Sequence, residues 1–303
     1  MSASRASAQG DLYFTANSLF LHNTNPAQQV VSQHAPGGES ARLFTDSSHF
    51  TLQPGVELTL GKYCDPITAV EISYFGLQQW NGGAVTTDPT QSLFTPFSRV
   101  GAFLGDFNNA YQQGFNTSAQ THNVEINLRR HLTQPIVLIA GIRYLNYHER
   151  FNYFSVEDRS PNSDIGRYDI NATNHALGVQ IGTEAHYLVL DWLELGGTFK
   201  SGMFVNWVEQ DTTLINNNAT FAQGGQSDTA LMGVVDFNLM ATVIHGNWRF
   251  SAGYRALLMS GMARASDQLD FSINEDPAAV TGNVNHQGTV VLHGPWAGVT
   301  FIY

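Results

Sequence analysis

Charge is scarce in this sequence. Asp, Glu, Lys and Arg make up 13% of its 303 residues, about half the share of an ordinary soluble domain, too little to cover a normal water-facing surface. Cysteine is nearly absent: Cys64 alone excludes an intramolecular disulfide framework and any cysteine-based metal or redox motif. It stands in KYCDPIT, which reads as a tight turn with a half-buried thiol. No apolar run approaches the roughly 20 residues of a transmembrane helix, which excludes a helical membrane protein but not a membrane β-barrel, whose signal is alternation. Basic residues are few, 14 Lys and Arg against 25 Asp and Glu for a net charge of −11, so nucleic acid is not an expected partner. HExxH, P-loop, GxGxxG and GxSxG motifs are all missing. The eleven histidines, among them His22, His34, His49 and His286, are scattered, so no metal or cofactor is expected. The opening MSASRASAQG has no apolar core of a signal peptide, although Ala6–Ala8 has the small-x-small form of a cleavage site. Residues 1–10 are read as a residual signal or disordered tail, a choice that N-terminal sequencing of the native protein would decide, and 11–303 as one domain.

What is present is alternation. In WRFSAGYRALLMSG, Trp248, Phe250, Ala252, Tyr254, Ala256 and Leu258 fall on one face of a strand, and Arg249, Ser251, Gly253 and Arg255 on the other. The pattern recurs in GVELTLGK, AVEISYF, HNVEINLRR, NHALGVQIGTEAHY, LELGGTFKSGMFVNW and VVDFNLMATV, and less regularly over 11–21 and 135–151. GPWAGVTFIY closes the chain with Ala297, Val299, Phe301 and Tyr303 on one face. Aromatic residues, 12% of the chain, favour strands over helices.

These segments give about ten strands (range eight to twelve). Short connections at YCDPIT, HLTQP, LVLD and IHGN alternate with long polar ones at 22–52, 80–120, 153–172, 209–229 and 260–288. Tight turns at one rim and long loops at the other mark an outer-membrane barrel. The expected fold is therefore all-β, a transmembrane antiparallel up-and-down barrel with periplasmic turns, extracellular loops and both termini in the periplasm. Alternation alone also suits a soluble β-sandwich or lipocalin-like barrel; strand length, low charge, the aromatic excess and the loop alternation favour the membrane barrel.

In that fold the greasy face meets outer-membrane lipid and lipopolysaccharide, and the polar face lines the lumen. The expected lumen residues are Glu57, Glu71, Glu125, Arg129, Arg143, Glu184, Glu194, Lys200, Asp236, Arg249 and Arg255. Both signs point inward, so the five basic groups are expected to pair with Glu125, Glu184, Glu194 and Asp236. Pairs in a wet lumen would each stabilise only modestly. One long loop, PFSRVGAFLGDFNNAYQQGF, places Phe97, Val100, Phe103, Leu104, Phe107 and Tyr111 at helical spacing, for a helix on the rim or a lid in the mouth.

NVEINLRRHL, LIAGIRYLNYHERF, NHALGVQIGTEAHY and FSAGYRALLMSGMARASDQL resemble, in that order, blocks of the β-barrel porin family abundant in planctomycetes, related to the Legionella-type pore-forming outer-membrane proteins. The likeness runs from Val124 to the C-terminus. It implies a barrel in a Gram-negative outer membrane, pore formation for small solutes or ions, and no catalytic residues. Two other readings stand beside it. One is a barrel-embedded surface hydrolase using Asp164, Asp169 and His175 near one strand top. The other is a structural or adhesive surface protein working through its acidic loops.

Overall fold

The computed structural model describes residues 12–24, 26–34, 40–96, 105–133, 135–160, 163–216, 218–269 and 284–303. Ten antiparallel strands close a ring: β1 (Leu12–Asn23), β4 (Gln53–Asp65), β5 (Thr68–Thr87), β7 (Gln112–Thr133), β8 (Ile136–Val156), β9 (Ile165–Leu190), β10 (Leu193–Asn216), β11 (Ala219–His245), β12 (Trp248–Met262) and β13 (Gly288–Ile302), with β13 returning to β1. Three short strands, β2 (Val30–His34), β3 (Ser40–Phe44) and β6 (Leu93–Phe94), form a separate small sheet. The start of β1 and the end of β13 meet at the rim of short turns, where Tyr303 N donates to Leu12 O at 2.9 Å. The proposed tail at 1–10 lies outside the described residues.

Register fixes the shape. Following paired residues from Leu12 through Lys62, Val70, Leu128, Ala140, Ile181, Ser201, Val235 and Leu258 leads to Val291. Its carbonyl accepts from Thr24 N, so the ladder returns to β1 twelve residues beyond Leu12. A stagger of that size over ten strands means a tilt of about 40° and a backbone radius of about 10 Å. Side chains almost fill a tube so narrow.

The strands are far taller than a bilayer. β10 and β11 have 24 and 27 residues, a rise of about 60 Å at that tilt against the roughly 30 Å of a hydrocarbon core. Their alternation inverts part-way. On β8 the outward residues Ile136, Leu138, Ile142 and Tyr144 are exposed and greasy, but further up the outward face becomes Asn146, His148, Arg150 and Asn152 while Leu145, Tyr147, Phe151 and Tyr153 are buried inside. On β10 Phe199, Met203, Val205 and Trp207 give way to Glu209 and Asp211, and Phe204, Val208 and Leu214 turn inward. Apolar side chains face out where the surroundings are lipid and in where they are water. Tyr–His pairs mark the changeover: Tyr74 with His122 and Tyr144 with His175 at 2.8 Å, and Tyr254 with His293 at 2.6 Å. Exposed Tyr187, Trp192, Trp248 and Tyr303 ring the opposite boundary, as interfacial aromatic girdles do.

This inversion corrects the expected loops. The connections at 80–120, 153–172 and 209–229 shrink to 88–111, 157–164 and 217–218, because much of their polar sequence is sheet. The four short turns are where the sequence put them. Cys64 is exposed, not half-buried. Within the expected loop helix, Gly105–Phe107 is one 3-10 turn, β7 begins at Gln112, and Phe107 is buried in the barrel mouth with Val31, Leu43, Phe115 and Tyr153. Phe97, Val100, Phe103 and Leu104 lie outside the described residues.

Candidate functional site

The lumen below the changeover holds two tiers of charge. Near the short-turn end Arg129 Nη1 donates to Glu71 Oε1 at 2.7 Å, and its other nitrogen pairs with Glu184. Glu184 also holds His186, whose Nδ1 is 2.9 Å from Glu194 Oε1. Thr198 Oγ1 donates to Glu184 Oε2 at 3.1 Å, and Tyr13 donates its hydroxyl to Glu71. Cross-strand register accounts for the tier: Glu71 sits opposite Asn127, one inward step from Arg129, and Thr198 sits opposite Glu184.

The second tier is deeper and drier. Arg255 grips Asp236 with Nε to Oδ1 at 3.0 Å and Nη2 to Oδ2 at 2.6 Å, and donates from Nη1 to Glu57 Oε1 at 2.7 Å. Arg143 Nη1 lies 3.1 Å from Asp236 Oδ2 and 3.4 Å from Glu125 Oε1. Lys200 Nζ reaches Glu125 Oε2 at 2.7 Å and Asp236 Oδ2 at 3.7 Å. Two of these contacts join residues directly opposite in register, Lys200 with Asp236 and Glu125 with Arg143. Phe75 lies under both arginines, its ring centroid 4.7 Å from Arg255 Cζ and 6.0 Å from Arg143 Cζ. Arg143 and Asp236 side chains are 0% and 3% exposed. These are buried pairs, not the screened ones expected, and losing one partner strands a desolvated charge.

Of the eleven expected lumen residues, ten take part in these contacts. Arg249 does not: its guanidinium bonds to the carbonyls of Gly246 and Trp248 at the rim, because it sits on the first turn-proximal step of β12, below both tiers. Sequence reasoning left out His186, although it shares a face with Glu184. It also missed Glu149, three inward steps beyond Arg143 on β8, which meets Arg264 Nε at 3.2 Å.

A cavity of about 1270 Å³ opens at the short-turn end, between Tyr63, Asp191 and Arg249, and ends at Glu125, Asp236 and Arg255. Above that roof, Leu21, Leu145, Phe204, Val234, Leu257 and Leu292 belong to a fully packed apolar layer. The lumen is therefore a polar vestibule closed on the long-loop side.

The residues of the hydrolase reading do not converge. Asp169 and His175 lie six residues apart on the outward face of β9, about 20 Å along the strand. Asp169 accepts from Asn152 at 2.7 Å, and Asp164 from Asn218 at 3.1 Å. Asp106, Glu157 and Asp164 bring carboxylate oxygens within 4.8 Å of one another near the long-loop end, an arrangement common at acidic surfaces without an ion. In the loops, Asp88 accepts from Thr90 N at 2.9 Å and from the Ser92 hydroxyl, which holds its pKa well below the usual carboxylate range.

A family model described as Putative beta barrel porin-7 (BBP7) matches residues 37–289. No curated protein matches the chain. Among solved structures, the outer membrane protease OmpT from Escherichia coli superposes with a TM-score of 0.52 at 11% identity, over 98% of each chain. The translocator domain of the autotransporter NalP from Neisseria meningitidis gives 0.39 at 10% identity, over 99% of this chain and 90% of that one. A Pseudomonas aeruginosa FadL homologue gives 0.35 at 12% identity, over 96% and 89%. At these identities the first likeness speaks for the ten-stranded outer-membrane fold alone.

Proposed function

The chain belongs to the Putative beta barrel porin-7 family, and from that premise we propose that this outer-membrane barrel passes small solutes or ions through a narrow, charged lumen, here in its closed form. We read the family link as extending to the planctomycete porins and, through them, to the Legionella-type pore-forming proteins. The short turns and both termini face the periplasm, and the tall hairpins rise outside the cell. It has no enzymatic role.

One observation carries the reading. The cavity runs from the rim of short turns past the first ionic tier and ends on the second, which is part of a path across the bilayer. Such a polar hollow would be costly inside a barrel that served only as a structural post. Eight carboxylates line it against four arginine or lysine side chains, so the field within attracts cations. With Arg143 added as a cation, carboxylates still predominate.

The test is planar-bilayer recording of the refolded protein, with the reversal potential read across a KCl gradient. The reading predicts rare openings of small conductance and a reversal potential shifted toward that of potassium. Silence from the refolded barrel at every applied voltage would defeat it.

A further inference from the structure

Histidines so scattered in sequence predict no metal site, but register gathers three of them on the outer wall. His22 stands on the outward face of β1, between the buried Leu21 and Asn23. His293 stands on the outward face of β13, between the buried Leu292 and Gly294. The two are directly opposite in the ladder that joins the first strand to the last. Their ring centroids are 5.3 Å apart, with the ring planes inclined by 40°. Pairing of Leu21 with Gln53 sets the approach to β4 against the same end of β1. His49, four residues ahead of Gln53, is exposed there, and it opposes a positive charge on His22 as His293 does.

Register alone would bring two rings together. What marks a site is the state of their nitrogens. His22 Nδ1 is buried with no hydrogen-bond partner among the described residues, whereas buried polar atoms in native proteins are nearly always paired. His293 Nδ1 is 2.6 Å from the Tyr254 hydroxyl. In the tautomer whose Nδ1–H donates to that oxygen, Nε2 keeps its lone pair, which is how metal-bound imidazoles are oriented. The spacing fits a single ion: with nitrogens about 2.0–2.1 Å from a tetrahedral zinc, two ring centroids come to rest about 5.2 Å apart.

The other Tyr–His pairs lack this arrangement. His122 and His175 are held by Tyr74 and Tyr144 in the same manner. Across their ladders, however, His122 faces Gly76 and Asn146, and His175 faces Asn146 and Trp207. Neither has a second imidazole opposite it.

We infer that His22, His293 and His49 form a site for a divalent transition ion such as zinc, on the outer wall where β1 closes against β13 and β4. The cross-strand pair supplies two nitrogens, His49 turns its exposed side chain in to supply the third, and water completes the coordination. Imidazole suits Zn2+, Cu2+ and Ni2+, whereas Mg2+ and Ca2+ prefer oxygen. An ion held there ties β1 to both of its neighbours at the seam that closes the barrel. The unfolded chain scatters the three ligands, so binding stabilises the folded ring by mass action. The site stands apart from the pore reading.

Equilibrium dialysis of the refolded full chain against Zn2+, in detergent micelles that leave the whole water-facing wall accessible, tests it. The site predicts saturable uptake of one zinc per barrel. His22→Ala and His293→Ala should each weaken it at least tenfold and His49→Ala at least threefold, while His122→Ala binds as native. Zinc should also raise the urea midpoint of the native barrel and not that of His22→Ala/His293→Ala. Resistance of unheated protein to SDS confirms a folded barrel in each, and Gln replaces Ala at any position where the barrel fails to form. Native affinity in any of the three variants, or no saturable uptake at millimolar zinc, overturns the site. So does zinc that is lost on Asp164→Asn instead, which would place the ion in the carboxylate group at the long-loop end. Binding is read without current, so a barrel that takes up zinc but never conducts refutes the pore and keeps the site, and one that conducts without taking up zinc does the reverse.

Discussion

Asp236→Ala should be among the most damaging single changes in the lumen. Asp236 takes two bonds from Arg255, at 3.0 and 2.6 Å, and a third from Arg143 at 3.1 Å, with Lys200 at 3.7 Å. Without it Arg255, Arg143 and Lys200 share only Glu57 and Glu125, so one buried cation is left uncompensated. Breaking a buried pair in this way costs about 3–5 kcal/mol, whereas replacing both partners by groups of similar shape is often near neutral. Asp236→Ala/Arg143→Met should therefore recover at least half of the loss. Arg249→Ala removes only bonds to rim carbonyls and should cost less than about 1 kcal/mol. Urea unfolding in lipid vesicles, followed by the shift between folded and unfolded bands in SDS gels, measures all three. If Asp236→Ala and Arg249→Ala fall within about 1 kcal/mol of each other, the tier is not the buried network described.

Other expectations follow from the same geometry. Phe237 faces outward and Asn238 inward on β11, so Phe237→Arg should cost about 2–4 kcal/mol at mid-depth and block assembly in vesicles, while Asn238→Arg is tolerated far better. Equal assembly yields would refute the face assignment. Arg255→Ala with Arg249→Ala should raise conductance and move the reversal potential further toward cations, with nearly all of the change coming from Arg255; an unchanged reversal potential removes both from the path. In the loops the depressed pKa of Asp88 means that its bonds to Thr90 and Ser92 stabilise the fold above the unfolded carboxylate pKa and are lost as pH falls through the lower folded value. The β2–β3–β6 sheet should thus resist pepsin down to strongly acidic pH in the native protein. Asp88→Ala should be cut there at pH 4; equal protection would show that the turn does not anchor the sheet.

Parity was the readable signal. From Val56 to Leu60, Val124 to Leu128 and Trp248 to Leu258 one face is continuously apolar, and extending that parity across the strand put the tier residues on the inside. The same rule failed where the solvent changes sides. Asn146, His148 and Arg150 share the parity of Ile142 and Tyr144, yet meet water, which made the strand over 135–151 read as less regular, and the reading then opened a loop at 153 that is sheet as far as Val156. Residues 209–229, with Gly224, Gly225, Gln226 and Ser227, have a loop-like composition, but cross-strand pairing with β10 orders them. Tertiary pairing, invisible in local composition, outweighs weak strand propensity there. Equally hidden was the slip at Gly261, which takes φ +84° and after which Met262, Ala263, Arg264 and Ala265 are buried, since one glycine in a strand pattern marks a bulge without telling which way the chain leaves. Arg249 shows the limit of parity from the other side: it gives the face of a side chain but not its depth, and depth decided that this arginine joins no tier.

The claim most open to direct attack is that water fills the short-turn half of the lumen within the membrane while the same strand faces lipid one residue away. Single cysteines at Phe237, Asn238 and Thr229, in a Cys64→Ser background and in vesicles, can be reacted with a membrane-impermeant maleimide present on both sides of the membrane. Asn238→Cys should react through the cavity mouth, Thr229→Cys on the water-facing outer wall, and Phe237→Cys not at all until the vesicles are dissolved and the barrel unfolded. Ready labelling at 237 with protection at 238 would contradict the account.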